Sequence, residues 1–522
     1  MAILNSVGNK FFSLLNYAKQ ATDEIETNNS QLEKVNIVGA GGVITAVYEQ
    51  LRNAAENTEE HLLLQGAVWR FYKQLFIAHN ETILRDSGTE LATELTFAGY
   101  IPNDSLTRDQ IDAISESATR HFQLFENIRQ EKLASLDLAM KWTLSTLAIE
   151  VANIIYRDYY DEAYVAFAYD YFEKLASPKN ISVKDDEEYR AALYTAIHRA
   201  LLKADDTQLR SRLLERYEVK SDVNEIKDYV DFNRQIDKLL TSSLVEKLYR
   251  IVNRQGAPLR IIRQMIKSDP DFIKKISNRE VFLEEFEKNV KKESSSIMKR
   301  VDRAIVRSVI FLIVTKVLIG IAIEVPYDIW ANGEIAWIPL LINLLFPPVY
   351  MVMLRLTLTP PGFANTQALV YAVDSILYGD DKKIYAHKIK EKRYSSSFSI
   401  VYVILSLLVV AAVTWLLLLL DFSVVHIIIF FVFISAASFL GFRLSRLVRE
   451  LEITRSASNG LTFIRDVIYL PFVVIGQWMS DKYSCMNIVT IILDLLIEMP
   501  MKTILRTIRQ WCAFMDDRKD NI

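Results

Sequence analysis

Four long apolar runs in the second half of the chain restrict its fold more than any other feature of the sequence. Each run approaches the ~20 residues that an α-helix needs to cross the ~30 Å hydrocarbon core of a bilayer. A backbone inside a bilayer must satisfy its own hydrogen bonds, so we predict four transmembrane helices. Their approximate ranges are 305–323, 336–354, 399–420 and 424–442.

Charge is distributed unevenly along the chain. The overall composition, 51% hydrophobic and 24% charged, is ordinary for a soluble protein. Residues 1–303, however, are rich in Glu, Lys, Asp and Arg, and most of the continuous apolar sequence lies within 304–442. The sequence therefore predicts an all-α protein with a cytoplasmic helical domain (1–303), a transmembrane domain (304–442) and a cytoplasmic-side region of interfacial amphipathic helices (443–522).

Helix signals dominate the first 303 residues. Thr107 and Gln110 form a capping-box pattern, as do Ser277 and Glu280. The segment 156–172, YRDYYDEAYVAFAYDYF, mixes aromatic and acidic residues. We interpret it as a helix whose aromatic side chains pack on neighbouring helices, and the alternative is a carboxylate or aromatic recognition site.

The sequence lacks the common catalytic and cofactor motifs. The stretch VNIVGAGGVI (35–44) has two glycines of a dinucleotide loop but Ile44 at the third position. HExxH, GxSxG and a Walker lysine are absent, two cysteines make no zinc pattern, and the six histidines are scattered. A net charge of −3 gives no electrostatic case for nucleic acid. We therefore predict no catalytic, metal or cofactor residues, although an enzyme is not excluded.

Basic residues flank the four predicted spans on one side only. Lysines and arginines precede the first span, fill the loop between the second and third, and follow the fourth. The loop between the first two spans carries three acids and no basic residue, and Trp330 and Trp337 suit an outer aromatic belt. The positive-inside rule then predicts that both termini are cytoplasmic.

Lys316 lies inside the first apolar run, where an unpaired charge costs roughly 2.5–3.5 kcal/mol. At ~1.5 Å per residue, Lys316 and Asn343 both lie about 10–12 Å below the outer edge of the membrane. We predict that they share a layer, with the Asn343 carbonyl accepting from the Lys316 ammonium. Asp421 and Glu324 are candidates for the countercharge. Two interpretations stay open: a polar clamp between two spans, or an anion or proton site.

The segment NIVTIILDLLIEM (487–499) is too short to span a bilayer. Its polar residues, including Asp494 and Glu498, recur three and four apart and form one face of a helix. This pattern favours an amphipathic helix in the cytoplasmic interface, in contact with anionic lipid. An ion or proton site at the Asp494–Glu498 pair is the alternative interpretation.

Several C-terminal pieces carry a family resemblance. The stretches NLLFPPVYMVML, TPPGFANTQAL, DVIYLPFVVIGQWMS and LDLLIEMPMK resemble an uncharacterised family of bacterial multi-span membrane proteins. The resemblance covers roughly the last 220 residues. It implies a bacterial inner-membrane location and no particular activity.

Two functions are consistent with these observations. The first is a membrane-anchored interaction or assembly protein, whose helical domain binds a protein partner. The alternative is a small-solute or ion transporter or channel that uses the intramembrane polar residues around Lys316 and Asn343. Four spans are few for a secondary transporter, so this alternative implies a homo-oligomer.

The predicted topology can be tested by cysteine labelling from outside the cell. In a chain without Cys485 and Cys512, a cysteine introduced at Asn332 or Ser423 should react with an impermeant reagent. A cysteine at His387 or near Ile522 should react only after the membrane is opened. Labelling of position 387 in intact cells would contradict the orientation.

Overall fold

The protein is all-α. The computed structural model describes residues 4–36, 60–79, 84–176, 185–222, 225–269, 271–358, 360–379, 396–453, 460–486 and 511. Within these ranges the regular structure is helical, and the β-type pairing is one isolated bridge between Lys34 and Thr107. The predicted fold class is confirmed.

The chain divides into two compact units. The described parts of 4–253 form the N-terminal unit, and those of 254–487 form the C-terminal unit. The division lies upstream of residue 303, where the sequence places the end of the cytoplasmic domain, because the helices of 257–276 pack on the first half of the helix that begins at Arg279.

The described part of the N-terminal unit is a bundle of ten α-helices. A π-helical turn, His198–Leu202, follows α7 directly. The helices are α1 Ser6–Gln31, α2 Glu60–Ala78, α3 Ser87–Phe97, α4 Arg108–Gln130, α5 Leu136–Ile155, α6 Tyr159–Leu175, α7 Asp186–Ile197, α8 Asp206–Arg216, α9 Ile226–Leu240 and α10 Ser243–Gln255.

Helix α5 lies at the centre of this bundle. It is one of five helices of the described chain that are long and apolar enough to span a membrane, yet 61% of its apolar window is already buried by protein. Trp142, Leu144 and Leu147 of α5 belong to the core shared with α2, α4 and α8. Because neighbouring helices cover it, its apolarity is that of a core helix.

The aromatic segment 156–172 packs as the sequence indicates. Tyr164, Phe167 and Phe172 are buried in α6, and the Phe167 ring stacks on Phe11 of α1 with 4.0 Å between centroids. Tyr156, just before α6, remains 67% exposed. The segment therefore contributes chiefly to the core.

A buried ion pair joins α8 to α9. Arg210 is fully buried, donates to Asn233 Oδ1 at 2.8 Å and pairs with Asp237, which also accepts from Trp142 Nε1 at 2.9 Å. Burial alone raises the pKa of the Asp237 carboxyl, but the hydrogen bond and charge of Arg210 outweigh burial and bring the pKa below its usual value.

One predicted helix start is confirmed and one is wrong. Thr107 and Gln110 form the reciprocal capping box at the start of α4. The helix after Ser277 begins instead at Arg279, because Asn278 accepts from the Val281 amide and so takes the capping role.

The C-terminal unit contains the other four apolar helices. Helix α13 continues through a π-helical turn, Gly320–Glu324, into α14, so that one continuous helical segment runs from Arg279 to Ala331. The helices are α11 Ala257–Ser268, α12 Phe272–Ile276, α13 Arg279–Ile319, α14 Val325–Asn332, α15 Trp337–Thr357, α16 Phe363–Tyr378, α17 Ser396–Leu419, α18 Val424–Arg449 and α19 Gly460–Met486.

These four helices match the predicted spans in position. Only 6% of the apolar window of α17 is buried by protein, so its apolar side chains face outward, as they would towards lipid. Trp330 and Trp337 are also outward-facing, at 84% and 69% exposure. The length, apolarity and exposed faces are those of membrane-spanning helices.

The Pro347–Pro348 pair does not break α15. Two consecutive prolines remove two backbone donors from a helix, yet this helix is continuous from Trp337 to Thr357 and both prolines are buried in it. Packing against α13 and α18 supports the two turns whose backbone hydrogen bonds the prolines remove.

Small residues permit close helix contacts on α18. A Cβ at Gly441 would lie 2.6 Å from Leu354 Cδ1 of α15, so the small-residue pattern Ala437-x-x-x-Gly441 marks a close approach of the two helices. Helix α19 also approaches α18 closely: a Cβ at Gly476 of α19 would lie 2.3 Å from the carbonyl oxygen of Ser435 in α18. Residues 460–486 thus form one helix packed on α18, and the interfacial location of 461–499 stays a prediction.

Polar contacts tie the ends of the C-terminal unit's helices together. Arg279 pairs with Asp374 of α16 through two hydrogen bonds of 2.6 and 2.7 Å. The Asn365 amide donates to the Leu451 carbonyl at 2.8 Å and accepts from the Ile453 amide at 2.9 Å. These contacts fix α16 against α13 and against the chain that follows α18.

The contact of α19 with α18 can be tested at Gly476. Gly476→Ala should destabilise the protein by about 1–3 kcal/mol, because the added methyl group meets backbone that cannot rotate away. Gly441→Ala is the matched control, since its methyl group meets only the end of the Leu354 side chain. Thermal denaturation in detergent measures both, and equal losses would contradict the backbone contact.

Candidate functional site

A cluster of charged and polar side chains lies inside the C-terminal unit. It comprises Lys316, Glu324, Asp328, Asn343, Ser423 and His426, and we call it the buried charge cluster. Apart from Ser423, each of these residues is at most 2% exposed. The cluster lies at the end of the unit that carries the turns 333–336 and 420–423, which we call the hairpin end.

The π-helical turn brings Lys316 and Glu324 together. Residues eight apart in a regular helix differ by about 80° around the axis. A π-turn inserts an extra residue, which reduces this difference, and the Glu324 side chain leans back towards the helix N-terminus. Pro326 favours the turn because its ring excludes the carbonyl four residues before it. The Lys316 ammonium consequently pairs with Glu324 Oε1.

Asn343 connects this ion pair to two other helices. Its Nδ2 donates to Glu324 Oε1 at 3.0 Å and to the His426 carbonyl at 3.2 Å. The Lys316 ammonium also lies 5.1 Å from the centroid of the Phe433 ring of α18, a favourable cation–π distance. Lys316 and Asn343 therefore meet through the carboxylate of Glu324.

This arrangement corrects one predicted contact. We expected the Asn343 carbonyl to accept from Lys316, but the Asn343 amide nitrogen faces Glu324 instead. The ammonium prefers the charged acceptor, because a charge-assisted hydrogen bond is stronger than one to a neutral amide oxygen. Of the two candidate countercharges, Glu324 takes the role, and Asp421 is exposed in the turn before α18.

A second polar pair lies beside the first. His426 Nε2 is 3.5 Å from Asp328 Oδ2, and that oxygen accepts from the Ala336 amide at 3.0 Å. His426 Nδ1 lies 2.8 Å from the Ser423 hydroxyl, which also accepts from the His426 backbone amide. Ser423 thus caps α18 and orients the imidazole towards Asp328.

Several polar atoms of the cluster have no hydrogen-bond partner among the described residues. They are Glu324 Oε2, Asp328 Oδ1, Asn343 Oδ1 and His426 Nε2. Buried polar atoms are almost always satisfied in folded proteins. Four such atoms on four neighbouring residues make the buried charge cluster the candidate functional site of the C-terminal unit.

The sequence analysis missed three members of the cluster, Asp328, Ser423 and His426. Asp328 was counted as a loop acid, although it follows Glu324 by four residues and so shares its helix face. His426 was counted among scattered histidines, although it lies in the first turn of α18 at the same end as Asn343. Asp494 and Glu498, the other predicted acidic pair, lie outside the described residues.

A second buried histidine lies in the N-terminal unit. His121 is fully buried, its Nδ1 lies 2.9 Å from the Ser117 carbonyl, and its Nε2 lies 3.8 Å from Glu150. Burial lowers the pKa of His121 below its usual value, although the Glu150 charge opposes this. The neutral imidazole then behaves as a core side chain, and Arg120 pairs with Glu150.

No metal-ligand group of three or more His, Cys, Asp or Glu side chains occurs in the described part of the chain. Comparison of the chain with protein-family models, curated proteins and solved structures finds no match. The case for function therefore rests on the geometry of the buried charge cluster.

The strength of the Lys316–Glu324 pair can be measured with a double-variant cycle. Lys316→Met alone leaves a buried carboxylate without its ammonium and should cost about 3–5 kcal/mol of stability. Adding Glu324→Gln should recover most of that loss, because both side chains of the former ion pair are then neutral. Lys291→Met, at a 60% exposed lysine, is the control and should change stability by less than about 0.5 kcal/mol.

Thermal denaturation in detergent gives the stability of the wild type, of Lys316→Met and Glu324→Gln alone, of the double variant and of the control. Additive losses in the double variant would contradict the pairing.

Proposed function

We propose that the protein is a multi-pass membrane protein that conducts or transports a small ion, with the buried charge cluster as its working site. One observation carries the proposal: two carboxylates, an ammonium and an imidazole are enclosed among apolar helices that are long enough to span a bilayer. Ionisable side chains at such positions are costly and usually mark ion or proton pathways.

The composition of the cluster favours this function over a purely structural clamp. If the cluster only held the helices together, well-packed apolar residues would often stabilise the protein as well as a buried ion pair does. The cluster instead retains unsatisfied oxygens on Glu324, Asp328 and Asn343. Its backbone also contains a π-helical turn at Gly320–Glu324, a distortion frequent at functional sites.

The cellular setting belongs to the same proposal. The one-sided basic flanks support cytoplasmic termini, and the resemblance of the last 220 residues supports a bacterial inner membrane. Anionic lipid at the cytoplasmic face would contact the arginines at the end of α18, of which Arg446 and Arg449 lie in its last turn. Since four spans are few for a transporter, we propose that copies of the chain assemble into a homo-oligomer.

A second candidate function is a membrane-anchored interaction or assembly protein. The N-terminal unit favours it, because residues 4–253 form a compact unit with their own core. Ion movement through the C-terminal unit does not require a helical unit of this size. In this candidate the N-terminal unit binds a protein partner and the buried charge cluster holds the spans together.

Ion flux through the purified full-length chain in liposomes tests the first candidate. With dyes for monovalent ions inside the vesicles, the wild type should dissipate an imposed ion gradient. Glu324→Gln should slow the flux at least about tenfold, which corresponds to about 1.4 kcal/mol in the barrier. Glu334→Gln is the matched control, because Glu334 is an exposed acid at the same hairpin end.

Equal flux in the two variants would contradict a role for the cluster. A wild type without flux that copurifies with a stable partner would favour the interaction protein.

A further inference from the structure

The charges of the buried charge cluster do not balance when His426 is neutral. Lys316 contributes one positive charge, and Glu324 and Asp328 contribute one negative charge each. An isolated charge in a low-dielectric interior is so costly that buried groups usually bind or lose a proton to remove it. The enclosed cluster therefore requires one further positive charge.

The position of that charge follows from the contacts. Glu324 is already compensated, because one of its oxygens receives both the Lys316 ammonium and the Asn343 amide. Among the described residues, the hydrogen-bond donor to Asp328 is a neutral one, the Ala336 amide. The basic nitrogen next to Asp328 is His426 Nε2, 3.5 Å away.

We propose that the Asp328–His426 pair is a proton-binding site and that the ion handled by the cluster is a proton. A hydronium ion gives its proton to the lone pair of His426 Nε2, so that one O–H bond breaks, one N–H bond forms and a water molecule is released. The imidazolium then neutralises Asp328. This inference rests on the proposed function only in identifying the ion, since the binding itself follows from charge balance.

The surroundings of His426 suit both protonation states. Nδ1 faces the Ser423 hydroxyl, which can donate to the neutral ring or accept from the charged one. The rings of Tyr327 and Phe422 lie edge-on to the imidazole, at 6.4 and 6.1 Å between centroids. Glu324 and Lys316 are linked to it through Asn343, which donates to the His426 carbonyl. The charged groups near the ring thus come from α13, the π-turn and α14.

A route for the proton lies at the hairpin end. Asp328 is in α14, whose next aromatic residue, Trp330, is 84% exposed. Gly333 and Glu334 follow in an exposed turn, and the Ala336 amide at the end of that turn contacts Asp328 directly. The carboxylate is therefore adjacent to a solvent-accessible segment while being fully buried itself.

Histidine protonation in the full-length protein tests the site without any transport measurement. With ring-labelled histidine in detergent, the NMR signal of His426 is identified among six histidines by its loss in His426→Gln. We expect one proton to titrate on His426, with a midpoint that falls by at least one pH unit, a tenfold loss of proton affinity, in Asp328→Asn. Asp421→Asn, an exposed acid in the adjacent turn, is the matched control and should leave the midpoint unchanged.

The outcomes separate this inference from the proposed function. A midpoint that Asp328→Asn leaves unchanged, or one that moves with sodium but not with choline, would overturn the proton site. A site that titrates as expected in a chain without ion flux would uphold the proton site and reject transport. If Asp328→Asn does not fold, the wild type decides instead: a His426 ring that takes up no proton over the pH range in which the protein stays folded would overturn the proton site.

Discussion

The contact between the Lys316 ammonium and the Glu324 carboxylate is the interaction around which the C-terminal unit is organised. Neither group can reach water, so each depends on the other for its main electrostatic compensation. That dependence requires the π-helical turn, which places the two residues on one face of the helix. It also positions Asn343, whose amide links the pair to α18. Three helices thus share a geometry that none would adopt for its apolar residues alone.

The parts of the fold that depend on local sequence could be predicted, and those that depend on tertiary contacts could not. Span positions follow from runs of apolar residues, and the Thr107 capping box follows from two side chains three residues apart. Continuity through Pro347 depends on support from neighbouring helices, which no local pattern encodes. Helix α5 is a second example: its sequence is as apolar as that of a membrane span, and only its packing against other helices of the N-terminal unit identifies it as a core helix.

Lys316 and Asn343 of the candidate site could be predicted from the sequence, whereas Asp328 and His426 could not. Lys316 and Asn343 stand out because each is polar within an apolar run, and helix rise alone places them at one depth. Asp328 and His426 lie near the ends of their helices, where a polar residue is ordinary in sequence. Their burial depends on side-chain contacts between different helices, such as that of Asp328 with His426, and these contacts exist only in the packed unit.

The two units use buried ion pairs in different ways. In the N-terminal unit, Arg210 is buried but the Asp237 side chain remains 30% exposed, so water shares the cost of the charge. In the C-terminal unit, Lys316 and Glu324 are 2% and 0% exposed, and the neighbouring Asp328 is buried as well. A change of one charge in the first pair is absorbed by solvent. In the second pair solvent is excluded, so a compensating charge must come from within the cluster. If His426 binds a proton as proposed, the charge on its ring changes the electrostatics of the contacts that join α14, α15 and α18, and such a link is what a site needs to convert an ion gradient into conformational change.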